Sequence, residues 1–153
     1  MAELSLRGRA VQFLARREHS RAELQNKLAG HAESPEQLSQ LLEALQQEGL
    51  LSDQRYAQQR SLGRAHRLGD RRLQQELRHK GVSDEDIQMA LDETEDEAGR
   101  CRQVWLKKFG TPPASREERA KQLRFLQYRG FSSASIRAVL QASDEDDCHD
   151  SEA

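Results

Sequence analysis

Three observations predict a wholly helical chain built as three tandem three-helix repeats. The first is an apolar pattern that returns every 49 residues. Leu28, Leu77 and Leu126 stand in register, as do Leu38, Ile87 and Ile136, then Leu41, Ala90 and Val139, then Leu42, Leu91 and Leu140. The second is a serine at one fixed offset before the later sets, Ser34, Ser83 and Ser132, where a helix N-cap belongs. The third is composition: four Val, two Ile and two Thr against twenty Leu, a balance that favours helix and leaves little for a sheet. A helical unit repeated in this way buries its apolar face against its neighbours and presents a surface to a partner more readily than a pocket to a substrate.

Repeat one is placed at residues 1–51. Leu6, Ala10, Phe13, Leu14 and Arg17 recur at helical spacing over 6–18. Ser20-Arg-Ala-Glu23 is a capping-box pattern, the Ser hydroxyl accepting an orphan N–H and the Glu reaching back, ahead of a helix with Leu24 and Leu28. Ser34-Pro35 opens the next helix, with Leu38, Leu41, Leu42 and Leu45 as its stripe and Gly49 as its stop.

Repeat two is placed at residues 52–94. A helix carrying Tyr56 is expected to run to about residue 68 and end at Gly69; Leu73 and Leu77 mark the next, ended by Gly81. Ser83 then caps a helix with Ile87, Ala90 and Leu91, its first turn bearing Asp84, Glu85 and Asp86, which suit the positive end of the helix dipole. Repeat three is placed at 95–142, with Cys101, Val104, Trp105 and Phe109 on one helix, a break at Gly110-Thr-Pro-Pro113, and helices over 115–129 and 133–141. Tyr56 and Trp105 are also 49 apart, although the first helices otherwise match poorly. Tyr56, Trp105, Phe109, Phe125 and Phe131 are assigned to the core, because thin helical arrays need large side chains at their interfaces. Residues 143–153 are expected to form a disordered acidic tail.

Composition excludes several classes of function. Charged residues make up 33 % and apolar ones 35 %, so the core is thin. Cys101 and Cys148 are the only cysteines, and no run approaches the ~20 apolar residues of a membrane span. A reduced, cytoplasmic, monomeric protein without membrane attachment is expected. The five histidines show no metal-ligand spacing. No glycine loop for phosphates and no nucleophile–base arrangement stands out. The chain reads as a non-enzyme that needs neither metal nor cofactor.

The net charge of −2 hides strong segregation. Residues 143–153 hold six acids and no Lys or Arg, leaving a body with 24 basic and 20 acidic residues. Residues 55–80 hold eight Lys or Arg against Asp70 and Glu76, and residues 100–129 hold nine against Glu117 and Glu118; between them 84–97 carries eight acids and no base. Blocks of this kind suit a polyanionic or strongly charged partner, with an ordinary solvated face as the competing explanation. Arg60, Arg64 and Arg67 fall at i, i+4 and i+7 as one helical stripe, which Arg71, Arg72, Arg78 and Lys80 would extend. In repeat three, Lys121, Arg124 and Tyr128 share a helix face near Arg129, with Lys107 and Lys108 as neighbours. Arginine forks pair with carboxylate or phosphate, and an aromatic among cations can stack on a nucleic-acid base. These thirteen residues are the candidate partner or DNA contacts, and the tail acids are expected to compete for the basic faces.

From Gly49-Leu-Leu-Ser-Asp-Gln-Arg-Tyr-Ala57 onward the chain resembles the RecX family of RecA regulators. The likeness continues through Arg71-Arg-Leu-Gln-Gln-Glu-Leu-Arg-His-Lys-Gly81, and upstream Arg16-Arg-Glu-His-Ser-Arg-Ala-Glu-Leu24 is similar to that family's first repeat. Lys107-Lys-Phe-Gly110 and Arg124-Phe-Leu-Gln-Tyr-Arg-Gly-Phe131 resemble its third. The resemblance implies an elongated, curved right-handed or crescent-like array of three repeats. It also implies binding in the groove of the RecA–DNA filament, with inhibition of strand exchange, ATP hydrolysis and the SOS coprotease function. Single- and double-stranded DNA would bind only weakly to such a protein. The alternative is a helical-repeat DNA-binding protein acting through its basic faces without RecA; its charges, however, are spread over several helices rather than gathered on one recognition helix.

Overall fold

The computed structural model describes residues 3–150, with side chains through residue 142. The described residues form nine α-helices and no strand. In order these are α1 (Leu6–Arg16), α2 (Arg21–Leu28), α3 (Pro35–Gln47), α4 (Asp53–Arg64), α5 (Asp70–His79), α6 (Asp84–Asp92), α7 (Glu97–Lys108), α8 (Arg116–Tyr128) and α9 (Ser133–Asp150), with a 3₁₀ turn at Ala29–His31.

The serine caps form as the spacing predicts. Ser34 Oγ accepts from the Gln37 N–H at 3.1 Å, Ser83 Oγ from Asp86 at 3.2 Å and Ser132 Oγ from Ser135 at 3.1 Å. Each occupies one of the N–H groups that a helix start leaves unpaired. Ser20 also caps, accepting from the Glu23 N–H at 3.1 Å. The Glu23 carboxylate does not complete the box, because both its oxygens take an Arg17 guanidinium N–H at 2.9 Å and Lys80 stands 3.6 Å away. A bidentate charged pair outcompetes a single bond to the cap N–H.

Three helix ends depart from expectation. Arg17 lies past the end of α1 and is exposed rather than on its buried face. Helix α4 stops at Arg64, so the turn bearing Arg67 begins earlier than Gly69. Helix α9 runs past residue 141 to Asp150, there being no Gly or Pro after Ser133 to stop it. The backbone of the expected disordered tail is therefore helical up to Asp150. Its acidic side chains, and their expected competition for the basic faces, lie outside the described residues.

The chain forms two compact units, Met1–Arg60 with Glu76–Leu91, and Ser61–Gln75 with Asp92–Ala153. In the first, Ala10, Leu24, Leu28, Leu38, Leu42, Leu45 and Leu51 form the core, with Phe13 and Leu14 partly buried against it. In the second, Cys101, Val104, Trp105, Leu126, Phe131, Ile136, Val139 and Leu140 form the core. Phe109 and Phe125, assigned to the core with Tyr56, Trp105 and Phe131, are only partly buried at its margin and meet edge to face at 5.4 Å. Trp105 Nε1–H donates to Gln122 Oε1 at 2.8 Å, so the buried indole keeps its hydrogen bond.

Candidate functional site

The candidate cations fall into two groups, one paired within the fold and one facing solvent. In the first unit Arg78 Nε donates to Asp84 Oδ1 at 2.8 Å, Lys80 pairs with Glu23, and Arg60 Nη2 stands 4.0 Å from Glu76. These cations neutralise acids of their own chain. The expected stripe of Arg60, Arg64 and Arg67 is also broken, because Arg67 follows the end of α4.

Carbonyls beyond that early end are taken by Arg100, a residue that counting charges could not single out. Its side chain is 4 % exposed. It donates from Nη1 to the carbonyls of Ala65 (3.1 Å) and Leu68, from Nε to the Glu95 carbonyl at 2.9 Å, and from Nη2 to Asp70 Oδ1. Carbonyls freed by a helix end need partners, and one buried guanidinium supplies them. Beside it, Glu97 accepts from the Asp70 N–H at 2.9 Å, the Ser132 N–H at 3.1 Å and the Ser135 hydroxyl at 2.6 Å. Burial opposes its charge, yet these bonds hold the Glu97 carboxyl below its usual range.

A close backbone approach completes the arrangement. The Gly69 N–H donates to the Arg129 carbonyl at 2.8 Å and the Arg71 N–H to the Gly130 carbonyl at 3.3 Å. The turn after α4 is thereby fastened to the turn after α8. Lys107 and Lys108 close the last turn of α7, where cations suit the negative end of the helix dipole. Arg67, Lys107, Lys108 and Arg129 consequently line one cleft of ≈ 680 Å³ in the second unit, with His66, Gln103, Leu106 and Phe125. No carboxylate lines it, and none of the four cations forms an ion pair among the described residues. Sequence reading named the four cations but not His66, Gln103 or Leu106; nothing in the local pattern marks those three.

The other candidates in this unit stay apart from the cleft. Arg72 donates from Nη1 to the Tyr128 carbonyl at 3.2 Å and lies 5.3 Å from the centre of the Tyr128 ring, which is 73 % exposed. Lys121 and Arg124 are exposed on α8, Arg64 is half-buried, and Arg71 is exposed beside a separate, mixed-charge groove that includes Asp70 and Glu97. Among the described residues no group of three or more His, Cys, Asp or Glu is assembled to hold a metal ion. No described helix is long and apolar enough to cross a membrane.

The fold and the site together define a helical protein of three-helix modules with a cation-lined surface cleft. Residues 52–91 match the family model of the second three-helix domain of RecX, and residues 95–140 that of the third. The chain is 46 % identical to the regulatory protein RecX of Leptothrix cholodnii over 97 % of its own length and 95 % of that protein's. It is 44 % identical to the regulatory protein RecX of Ralstonia nicotianae, over 92 % and 89 % of the two chains. The crystal structure of RecX from Lactobacillus salivarius superposes with a TM-score of 0.78 over 91 % of this chain and 94 % of that one, at 20 % identity, a likeness of fold. The chain belongs to the RecX family of regulatory proteins.

Proposed function

We propose that this chain is a non-enzymatic, cytoplasmic negative modulator of the RecA recombinase. It acts as a monomer in the groove of the RecA–DNA filament and restrains strand exchange, ATP hydrolysis and the SOS coprotease function. Family membership supports regulation as the role. The observation that carries the contact is the partition of the cations. Among the described residues Arg67, Lys107, Lys108 and Arg129 are gathered without a carboxylate, whereas Arg60, Arg78 and Lys80 are engaged by their own chain. A rigid body with several weak charged contacts gains affinity on a repeating filament because each contact raises the effective concentration of the next.

The test is ATP hydrolysis by RecA on single-stranded DNA with increasing amounts of this protein. Inhibition well below one molecule per RecA protomer is expected. Inhibition only when the DNA itself is saturated would replace this reading with its rival, a DNA-binding protein acting through its basic faces without RecA.

A further inference from the structure

We infer that the mixed-charge groove between α5, the start of α7 and the turn from α8 into α9 is a protein-docking groove, which takes an extended segment bearing an acidic side chain. The groove belongs wholly to the second unit and has a volume of ≈ 800 Å³. Four side chains along it, those of Arg71, Gln74, Gln127 and Ser133, have no hydrogen bond or ion pair among the described residues. Its two acids, by contrast, are fixed. Arg100 holds Asp70 through Oδ1, and Glu97 accepts from the Asp70 and Ser132 N–H groups and from the Ser135 hydroxyl. The groove is therefore a rigid frame set with unpartnered donors and acceptors, and a frame already ordered loses little entropy when it binds.

Charge and polar groups together select the occupant. A phosphate chain or an anionic membrane would meet the Asp70 and Glu97 carboxylates along with Arg71, so a polyanion gains little there. A protein segment escapes that repulsion, because it offers a single carboxylate beside neutral main chain. The Arg71 guanidinium pairs with such a carboxylate through its fork. The amides of Gln74 and Gln127 each carry donors and an acceptor, the complement of the N–H and C=O of an extended backbone, and the Ser133 hydroxyl serves as either. The volume lies near the upper end of the roughly 300–1,000 Å³ of ordinary ligand sites, room for several residues rather than one side chain. The acidic stretch of α9 is carried away from the groove: the helix starts there at Ser133, and Asp144 lies about 16 Å further along its axis.

The inference rests on the regulator reading for the identity of the protein that docks, so the probe is RecA. The full chain is titrated onto RecA filaments assembled on immobilised oligo(dT), with bare oligo(dT) as the reference surface, and binding is read by interferometry. The double variant Gln74→Ala with Gln127→Ala removes both amides at helix positions that alanine suits. It is expected to bind the filament about tenfold more weakly, as for two lost hydrogen bonds, with unchanged affinity for bare oligo(dT). Arg71→Glu is expected to lose more filament binding than the double variant. Gln12→Ala, exposed on α1 of the first unit, is expected to match the parent chain. Filament affinity equal to the parent's in the folded double variant would overturn the inference. An equal loss on bare oligo(dT) would also overturn it, by making the groove a strand contact. If the parent chain binds filaments no better than bare oligo(dT), the regulator reading falls and this inference with it, an outcome distinct from the other two because it is seen without any substitution.

Discussion

Nζ of Lys27 donates at 2.9 Å to Nε2 of His19, a ring that is 1 % exposed. The other ring nitrogen, Nδ1, donates to the Arg17 carbonyl at 3.0 Å, so the imidazole is neutral with its proton on Nδ1. Burial, with the charges of Arg17 and Lys27 adding to it, pushes the His19 pKa down. The unfolded chain therefore takes up this proton first, at about pH 6.5. Stability is fully present above that pH and is lost as pH falls below it. Urea unfolding at pH 8, 7, 6 and 5.5 is expected to show this decline. In Lys27→Met the decline should shrink, while stability at pH 8 drops by about 1–3 kcal/mol because Nε2 is left buried without a donor. A decline of the same depth in Lys27→Met would show that the ammonium is not what keeps the ring neutral.

A second acid step lies lower. Burial raises the Glu23 pKa, but the Arg17 fork, aided by His19 and Lys80, brings it down to about 2. A lowered carboxylate gives stability that is present above its ordinary value of 4.5 and is lost as pH falls toward 2. Arg17→Met is expected to remove most of the pH dependence between 4.5 and 2, as read by the same unfolding series, while the His19 step shrinks but persists because burial still lowers that pKa.

Removing Arg100 should cost more than removing any surface cation. Arg100→Met would strip the partner from the Asp70 carboxylate and from three backbone carbonyls, a loss of about 3–5 kcal/mol by analogy with broken buried pairs. Arg100→Lys should recover only part of it, since one ammonium cannot reach acceptors spread around a planar fork. Arg78→Gln, losing an exposed pair, should change stability by no more than about 1 kcal/mol. Equilibrium unfolding of the three variants ranks them directly.

The apolar repeat was legible because burial is what such spacing demands. Leu28, Leu77 and Leu126 are each at most 1 % exposed, and of the twelve positions in register only Leu41 is left partly buried. The serine caps were legible for the same local reason. The cleft was not. Its cations could be named from the chain, but their meeting depends on the Gly69–Arg129 hydrogen bond between turns sixty residues apart, which leaves no mark in local composition. Nor does charge counting distinguish Arg100, buried among carbonyls, from Arg67 in solvent. Glu23 shows the converse: the capping-box pattern was correct for Ser20, and a stronger partner took the acid.

The fastening of the two turns gives the sharpest prediction. A Cβ at Gly69 would overlap the carbonyl carbon and oxygen of Gly130 and the amide nitrogen of Phe131. These are backbone atoms, which cannot swing aside as a side-chain tip can, so Gly69→Ala must part the two turns. The expected cost is about 1–3 kcal/mol or more, as for other overpacked sites. Because Arg67 and Arg129 sit on those turns, inhibition of RecA ATP hydrolysis should weaken as well, even under conditions where the variant is fully folded. Gly63 is the control. It lies in α4 with nothing within 4 Å of an added Cβ, so Gly63→Ala should stabilise the helix by up to about 1 kcal/mol and leave that inhibition unchanged. If Gly69→Ala unfolds at the same urea concentration as the parent chain, the contact between the turns is not what holds the cleft together.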